Sequence, residues 1–204
     1  RTLELSNRLK YSSRVRLSLY RSDGGFYLPT NQSLKYLIEV DKLNEKSLCF
    51  NNNGLVIDVF HDHLKPCQTL SNLKGGNSLI SVLSSIFANE NDLDEAIILN
   101  SELNICETTA SNIFIVNDKH LITPPISSGC VNGIIRKQII ENGSLWGYTI
   151  EEKNIKSFEL IKSDEVFLTN SINWIQWVSS YKKRSYRNNV SADLSKKLKM
   201  KIFD

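Results

Sequence analysis

Residues 96–136 read AIILNSELNICETTASNIFIVNDKHLITPPISSGCVNGIIR. Three short apolar runs, 96–100, 112–116 and 120–124, follow one another across small and polar residues, a pattern that predicts short strands in close succession. Between the first two, Glu107 ends an apolar strand and leads into small residues. Pro124 and Pro125 stop the third run, because proline has no N–H to give a ladder. The small residues after them predict a helix that starts near Gly133 and runs through Ile134, Ile135, Ile139 and Ile140. The unpaired amides of such a helix start can hold an anion. The alternative is an ordinary loop-to-helix junction.

Beyond this stretch, residues 165–169 and 174–178 read as strands and 191–203 as a closing amphipathic helix, with Lys196, Lys197, Lys199 and Lys201 on its wet face. Toward the N-terminus, Leu79, Ile80, Leu83, Ile86 and Phe87 have helical spacing, and Asn77 is the expected N-cap. Leu55 to Phe60 read as a buried strand. Residues 44–54, with four Asn and a Gly, read as a linker. Residues 14–20 and 34–40 read as two strands, the first followed by a turn at Ser22–Gly25. Strands outnumber helices and do not alternate with them, which excludes a doubly wound sheet and predicts an α+β fold.

The 204 residues are 41% hydrophobic and 23% charged, which excludes wholesale disorder. Twenty-five basic against 22 acidic residues leave a net charge of +3, too mild to argue for a nucleic-acid partner. The basic run Lys182–Arg187 reads as a solvated loop. No apolar run approaches the roughly 20 residues that span a bilayer. Cys49, Cys67, Cys106 and Cys130 form no CxxC pair and read as reduced thiols of a cytoplasmic protein. His61 and His63 lack further ligands at matched spacing, so no metal is expected. The chain opens Arg1-Thr2-Leu3 without Met or a signal-peptide pattern, so it is expected to begin inside a longer product.

Four segments carry chemistry. Lys74 precedes Gly75, Gly76 and a helix start; it reads as a surface lysine or, if desolvated, as an amine that condenses with an aldehyde. Glu107 reads as a turn carboxylate or as an acid facing a cofactor ring nitrogen. The run into Ile134 and Ile135 offers backbone amides to a phosphate. Asn170 and Ser171, small and polar after an apolar strand, complete such a cradle or form a turn.

In this order the segments resemble the class-IV aminotransferase family, the fold-type IV enzymes that use pyridoxal 5′-phosphate. The likeness rests on Lys74, on Glu107 followed by Asn112-Ile113-Phe114, and on Thr123-Pro124 with Gly133-Ile134-Ile135-Arg136. It continues through Glu165-Val166-Phe167 to Asn170-Ser171, and spans about residues 14 to 178. The resemblance implies a two-domain α+β protein. Residues 1–45 are then the remainder of a small N-terminal domain, 46–53 a linker and 54–204 a large cofactor-binding domain. It implies Lys74 as the lysine that forms a Schiff base and shuttles the proton, and Glu107 as partner of the ring nitrogen. Ile134 and Ile135 become backbone donors to the phosphate, with Ser171 adding a hydroxyl beside Asn170. Arg16 and Arg21 become candidate substrate-facing cations. An amino-acid-like small-molecule substrate and a homodimer are implied, with neither nucleic acid nor membrane as partner. A further family arginine that grips the phosphate falls before the start of this chain.

The family includes branched-chain and D-amino-acid aminotransferases and 4-amino-4-deoxychorismate lyases. Ser78 stands where branched-chain enzymes place a tyrosine, which favours the lyase. Gly24-Gly25-Phe26-Tyr27 lacks the arginine that lyases often carry in that turn, which points the other way. The expectation is therefore a lyase that forms 4-aminobenzoate and pyruvate, with an amino-acid transaminase using 2-oxoglutarate as the alternative. A relative that kept the fold as a binding domain without catalysis is the second alternative.

Overall fold

The computed structural model describes residues 13–43 and 49–203. They fall into two compact units that divide between Ser47 and Leu48. Residues 44–48, which include part of the stretch read as a linker, lie outside the described residues.

The first unit is a hairpin. β1 (Ser13–Arg21) and β2 (Leu34–Lys42) pair antiparallel from Ser13↔Lys42 to Arg21↔Leu34, as their alternation predicts. Arg16 grips Glu39 across the ladder with two hydrogen bonds, of 2.8 and 2.9 Å. Gly24 and Gly25 take φ of 117° and 77°, where a side chain would be strained.

The second unit is built on nine strands. β3 (Leu55–Lys65), β4 (Glu95–Asn100), β5 (Ile105–Thr108), β6 (Asn112–Asn117), β7 (His120–Thr123), β8 (Thr149–Glu152), β9 (Glu165–Asn170) and β10 (Trp174–Tyr181) lie in the order β5-β4-β3-β10-β9-β6-β7-β8. β11 (Arg184–Ser185) pairs with β10. The pairs β3–β4, β3–β10 and β7–β8 are parallel; the others are antiparallel. Four helices accompany the sheet: α1 (Leu79–Glu90), α2 (Ile134–Asn142), α3 (Ser157–Lys162) and α4 (Asn189–Phe203). No helix among the described residues is long and apolar enough to cross a membrane.

The apolar runs are continuous because both faces of the central strands are covered. On β6, Ile113 and Ile115 join one core with Val166 and Leu168 of β9. Phe114 and Val116 face the other way, into a second core with Phe167, Ile135, Ile139, Leu194 and Leu198. The rings of Phe114 and Phe167 stack there, 4.8 Å apart and 7° from parallel. α1 closes a third cluster on Phe60 and Ala96. Glu165, fully buried on β9, accepts the N–H groups of Val190 and Ser191 and so caps the start of α4.

Several sequence expectations need correction. α1 starts after Ser78, whose carbonyl takes the N–H of Val82, so Asn77 is not its cap. The strand expected to end at Phe60 continues to Lys65, because residues 61–65 stay extended although most are solvent-facing. The basic run is no loose loop. Lys182 and Lys183 form a tight turn, Arg184 donates to Ser163 O at 2.9 Å, and Tyr186 is buried with its hydroxyl on Leu160 O. β8, α3 and β11 are additional, being short and weakly patterned. Asn51 is fastened to Trp177 of β10 by three hydrogen bonds of 2.8 to 2.9 Å.

Gly129 has φ of 90°, and a Cβ there would lie 2.6 Å from the backbone oxygen of Pro66. Gly129→Ala is expected to cost about 1–3 kcal/mol of stability in urea unfolding, through left-handed strain plus a clash with backbone that cannot swing away. A variant as stable as the parent would show that the chain does not pass so close.

Candidate active site

One loop connects several of the segments that the sequence singles out. It runs from Pro124 through a short 3-10 segment, Ile126–Ser128, to Gly133, where α2 begins. Side chains from four other places hold its backbone. Asn100 donates to Ser128 O at 3.1 Å, and Asn112 donates to Val131 O at 2.8 Å. Asn72 donates to both Ile126 O and Cys130 O at 2.8 Å. The Glu107 carboxylate accepts the N–H of Val131 at 2.8 Å. A Cβ on Gly133 would meet Asn112 Oδ1 at 2.1 Å, so only glycine fits beside that amide.

Glu107 is buried near the end of β5. Its second oxygen accepts Lys65 Nζ at 2.5 Å, and the two side chains are only 15% and 9% exposed. A buried carboxylate needs such a cation and such a donor to remain charged inside. Each oxygen keeps a lone pair beyond the one in use, so Glu107 can still accept from a ligand. Beside it, burial and the nearby carboxylate push the Cys106 thiol up, and burial does the same for Cys130. Neither is poised as a nucleophile.

At the start of α2, the first helical bond runs from Lys137 N–H to Gly133 O, at 2.9 Å. The amides of Ile134 and Ile135 precede it and have no carbonyl within the helix to bind. Ile135 anchors in the core while Ile134 stays exposed. Arg136 is buried, donates to Pro124 O at 2.8 Å and pairs with Glu152. It therefore ties the helix start to the strand end that feeds the loop.

The remaining candidates are placed as follows. Lys74 lies in the turn between the 3-10 segment Thr69–Asn72 and α1. Its side chain is exposed in an open turn, as in the surface-lysine reading rather than the desolvated one. It makes no hydrogen bond or ion pair among the described residues. Its turn is nonetheless tied to the central loop by Asn72, two residues earlier. Asn170 ends β9, and its Oδ1 accepts the N–H groups of Ile172 and Asn173, so it shapes the turn that exposes Ser171. Arg16 and Arg21 belong to the hairpin unit, where Arg16 binds Glu39 and Arg21 donates to Gln32 at 2.9 Å. Among the described residues no group of three or more His, Cys, Asp or Glu is placed to hold a metal ion.

Lys65, Asn72, Asn100 and the Val131 amide were not foreseen. Lys65 has the same parity on β3 as the buried Ile57 and Val59, which is a signal. The irregular pairing between Phe60 and Lys65 obscures it. The asparagines read as turn formers, and nothing in their spacing tells which carbonyls they bind.

The chain is similar in sequence and fold to known proteins. Aminodeoxychorismate lyase of Vibrio harveyi is 26% identical over 125 residues, 61% of this chain and 46% of that protein. Branched-chain-amino-acid aminotransferase 6 of Arabidopsis thaliana is 37% identical over 125 residues, 59% of this chain and 34% of that protein. The branched-chain amino acid aminotransferase of Thermobaculum terrenum in its PLP form superposes with a TM-score of 0.80 at 22% identity, covering 96% of this chain and 66% of that one. The matched part of the chain thus spans less than half the length of these curated relatives. Residues 2–181 match the amino-transferase class IV family, and the chain belongs to that family of pyridoxal-phosphate-dependent aminotransferases and lyases.

Proposed function

We propose that the chain binds pyridoxal 5′-phosphate and acts on an amino-acid-like substrate through Lys74, with 4-amino-4-deoxychorismate as that substrate. The observation that carries the reading is the shared loop: it meets Glu107 at Val131, ends in the open amides of Ile134 and Ile135, and is bonded by the segment that bears Lys74. The donor set fits the cofactor. A phosphate finds amides and the Ser171 hydroxyl, a pyridine nitrogen finds a buried carboxylate, and an aldehyde finds a primary amine.

When bound, the cofactor supplies an aldehyde that condenses with amines and a ring that accepts electrons from the substrate. Glu107 would hold the proton of the ring nitrogen, and Lys65 balances its charge. Lys74 would take the proton from the substrate carbon that bears nitrogen. In the lyase reaction the carbon–oxygen bond to the enolpyruvyl group then breaks. The ring becomes aromatic, and a proton returns to the departing three-carbon unit, which leaves as pyruvate.

Two lysines lie in the assembled segments, and chemistry separates them. The aldehyde carbon of the cofactor is para to the ring nitrogen. An amine in contact with the acid that faces the nitrogen cannot also reach the aldehyde. Lys65 touches Glu107, so Lys74 is the reacting lysine.

Ser78, four residues after Lys74 and exposed, supports the lyase over the transaminase. The 37% identical plant aminotransferase supports transamination as the second reading. Leu79, Val82 and Ile86 line one exposed face of α1, and Leu70 and Leu73 precede Lys74 with similar exposure. A second copy of the chain is the proposed cover, and it would desolvate the lysine turn. The thiols of Cys67, Cys106 and Cys130 fit the reducing cytoplasm proposed as its location.

Lys74→Ala should abolish the visible absorption band of the cofactor-loaded protein. Lys65→Met should keep that band at saturating cofactor while lowering stability by about 3–5 kcal/mol, the cost of leaving a buried charge unpaired. The reverse pattern would move the reaction to Lys65. Supplied with 4-amino-4-deoxychorismate, the enzyme should release 4-aminobenzoate and pyruvate; glutamate formed only from L-leucine or D-alanine with 2-oxoglutarate would establish the transaminase instead. In sedimentation, the protein should run as a dimer and Ile86→Lys as a monomer; a monomeric parent would rule out the proposed cover.

A further inference from the structure

Glu95, the first residue of β4, and Ser111, immediately before β6, have no part in the chemistry above. They form a directed chain of hydrogen bonds. Ser111 Oγ donates to Glu95 Oε1 at 2.8 Å. Asn170 Nδ2 donates to Ser111 Oγ at 3.0 Å. Asn170 Oδ1 accepts the N–H groups of Ile172 at 2.9 Å and Asn173 at 2.7 Å.

The direction follows from counting protons. A serine hydroxyl has one. Ser111 gives its proton to Glu95, so toward Asn170 it can only accept. That choice turns the nitrogen of the Asn170 amide to Ser111 and its oxygen to the turn. The flipped amide would set oxygen against oxygen at one end and N–H against N–H at the other. We propose that Glu95, acting through Ser111 and Asn170, is a positioning residue that fixes the turn bearing Ser171 and so the phosphate end of the site. This rests on the cofactor reading above and assigns roles to two residues outside it.

Glu95 is well placed to be a fixed acceptor. Its other oxygen takes the Thr108 hydroxyl at 2.5 Å and the Ala110 N–H at 3.2 Å. Burial raises its carboxyl above the ordinary range, against the pull of these bonds. The chain tolerates either charge state. The Thr108 hydroxyl also lies 3.0 Å from Ser111 O. When Glu95 is protonated, its proton can go to Thr108 Oγ1 while Thr108 donates to that carbonyl. Oε1 still accepts from Ser111.

The test compares two ligands that differ only in phosphate. The protein, freed of cofactor, is titrated with pyridoxal 5′-phosphate and with pyridoxal, read by tryptophan fluorescence. Ser111→Ala and Asn170→Asp should weaken the phosphorylated ligand by about tenfold, the worth of one misplaced hydrogen-bonding group, while pyridoxal changes by less than about twofold. Asn170→Asp keeps the oxygen that serves the turn but sets a second acceptor against Ser111. Glu95→Ala should behave like Ser111→Ala. Equal losses for both ligands, or no loss in folded Ser111→Ala, would overturn the positioning role. A parent that binds both ligands equally would overturn the phosphate assignment itself, and a parent that binds neither would overturn the cofactor reading.

Discussion

A buried carboxylate held between an ammonium and a backbone amide organises this protein. Glu107 sits within the sheet, where an unpaired charge would be prohibitive, and two donors keep it there: the Lys65 ammonium and the Val131 amide. These two bonds join the far end of β3, the strand β5 and the loop before α2. Once they are made, the loop has little freedom. Asn100, Asn112 and Asn72 bind its remaining carbonyls, and Gly129 and Gly133 let it pass where no side chain fits. The helix start that follows is thereby presented with its amides open.

This accounts for a site drawn from residues far apart in sequence. Each is rigid for its own reason. Glu107 is paired, Ile135 is in the core, and Arg136 is locked between Pro124 and Glu152. Asn170 is held on both sides of its amide. Lys74 differs, since it is tied down only through Asn72 and projects from an open glycine turn. For the proposed role of Lys74, an amine that binds and releases its partner, such freedom is of use where the rest of the site is preorganised.

Much of this was legible in the sequence. Short apolar runs located most strands, and Gly133 with the isoleucines after it located α2, because both signals are local. Glu107 stood out as a carboxylate within an apolar run. What sequence could not convey is pairing at a distance. The length of β3 was hidden because His61, Asp62 and His63 are solvent-facing, and with it went the arrival of Lys65 at Glu107. The asparagines that fasten the loop look like any turn residues. The lysine turn carried two readings, exposed or desolvated, which sequence alone does not separate; it is exposed, and nothing approaches within 4 Å of where a Cβ on Gly76 would lie.

Lys74, rather than the better-buried Lys65, is the residue proposed to condense with the cofactor. Borohydride reduction of the cofactor-loaded protein followed by peptide mass spectrometry reads this directly, because reduction makes the carbon–nitrogen link permanent. A phosphopyridoxyl mass is expected on the peptide that contains Lys74 and none on that containing Lys65. The label on Lys65, or its absence from both, would contradict it.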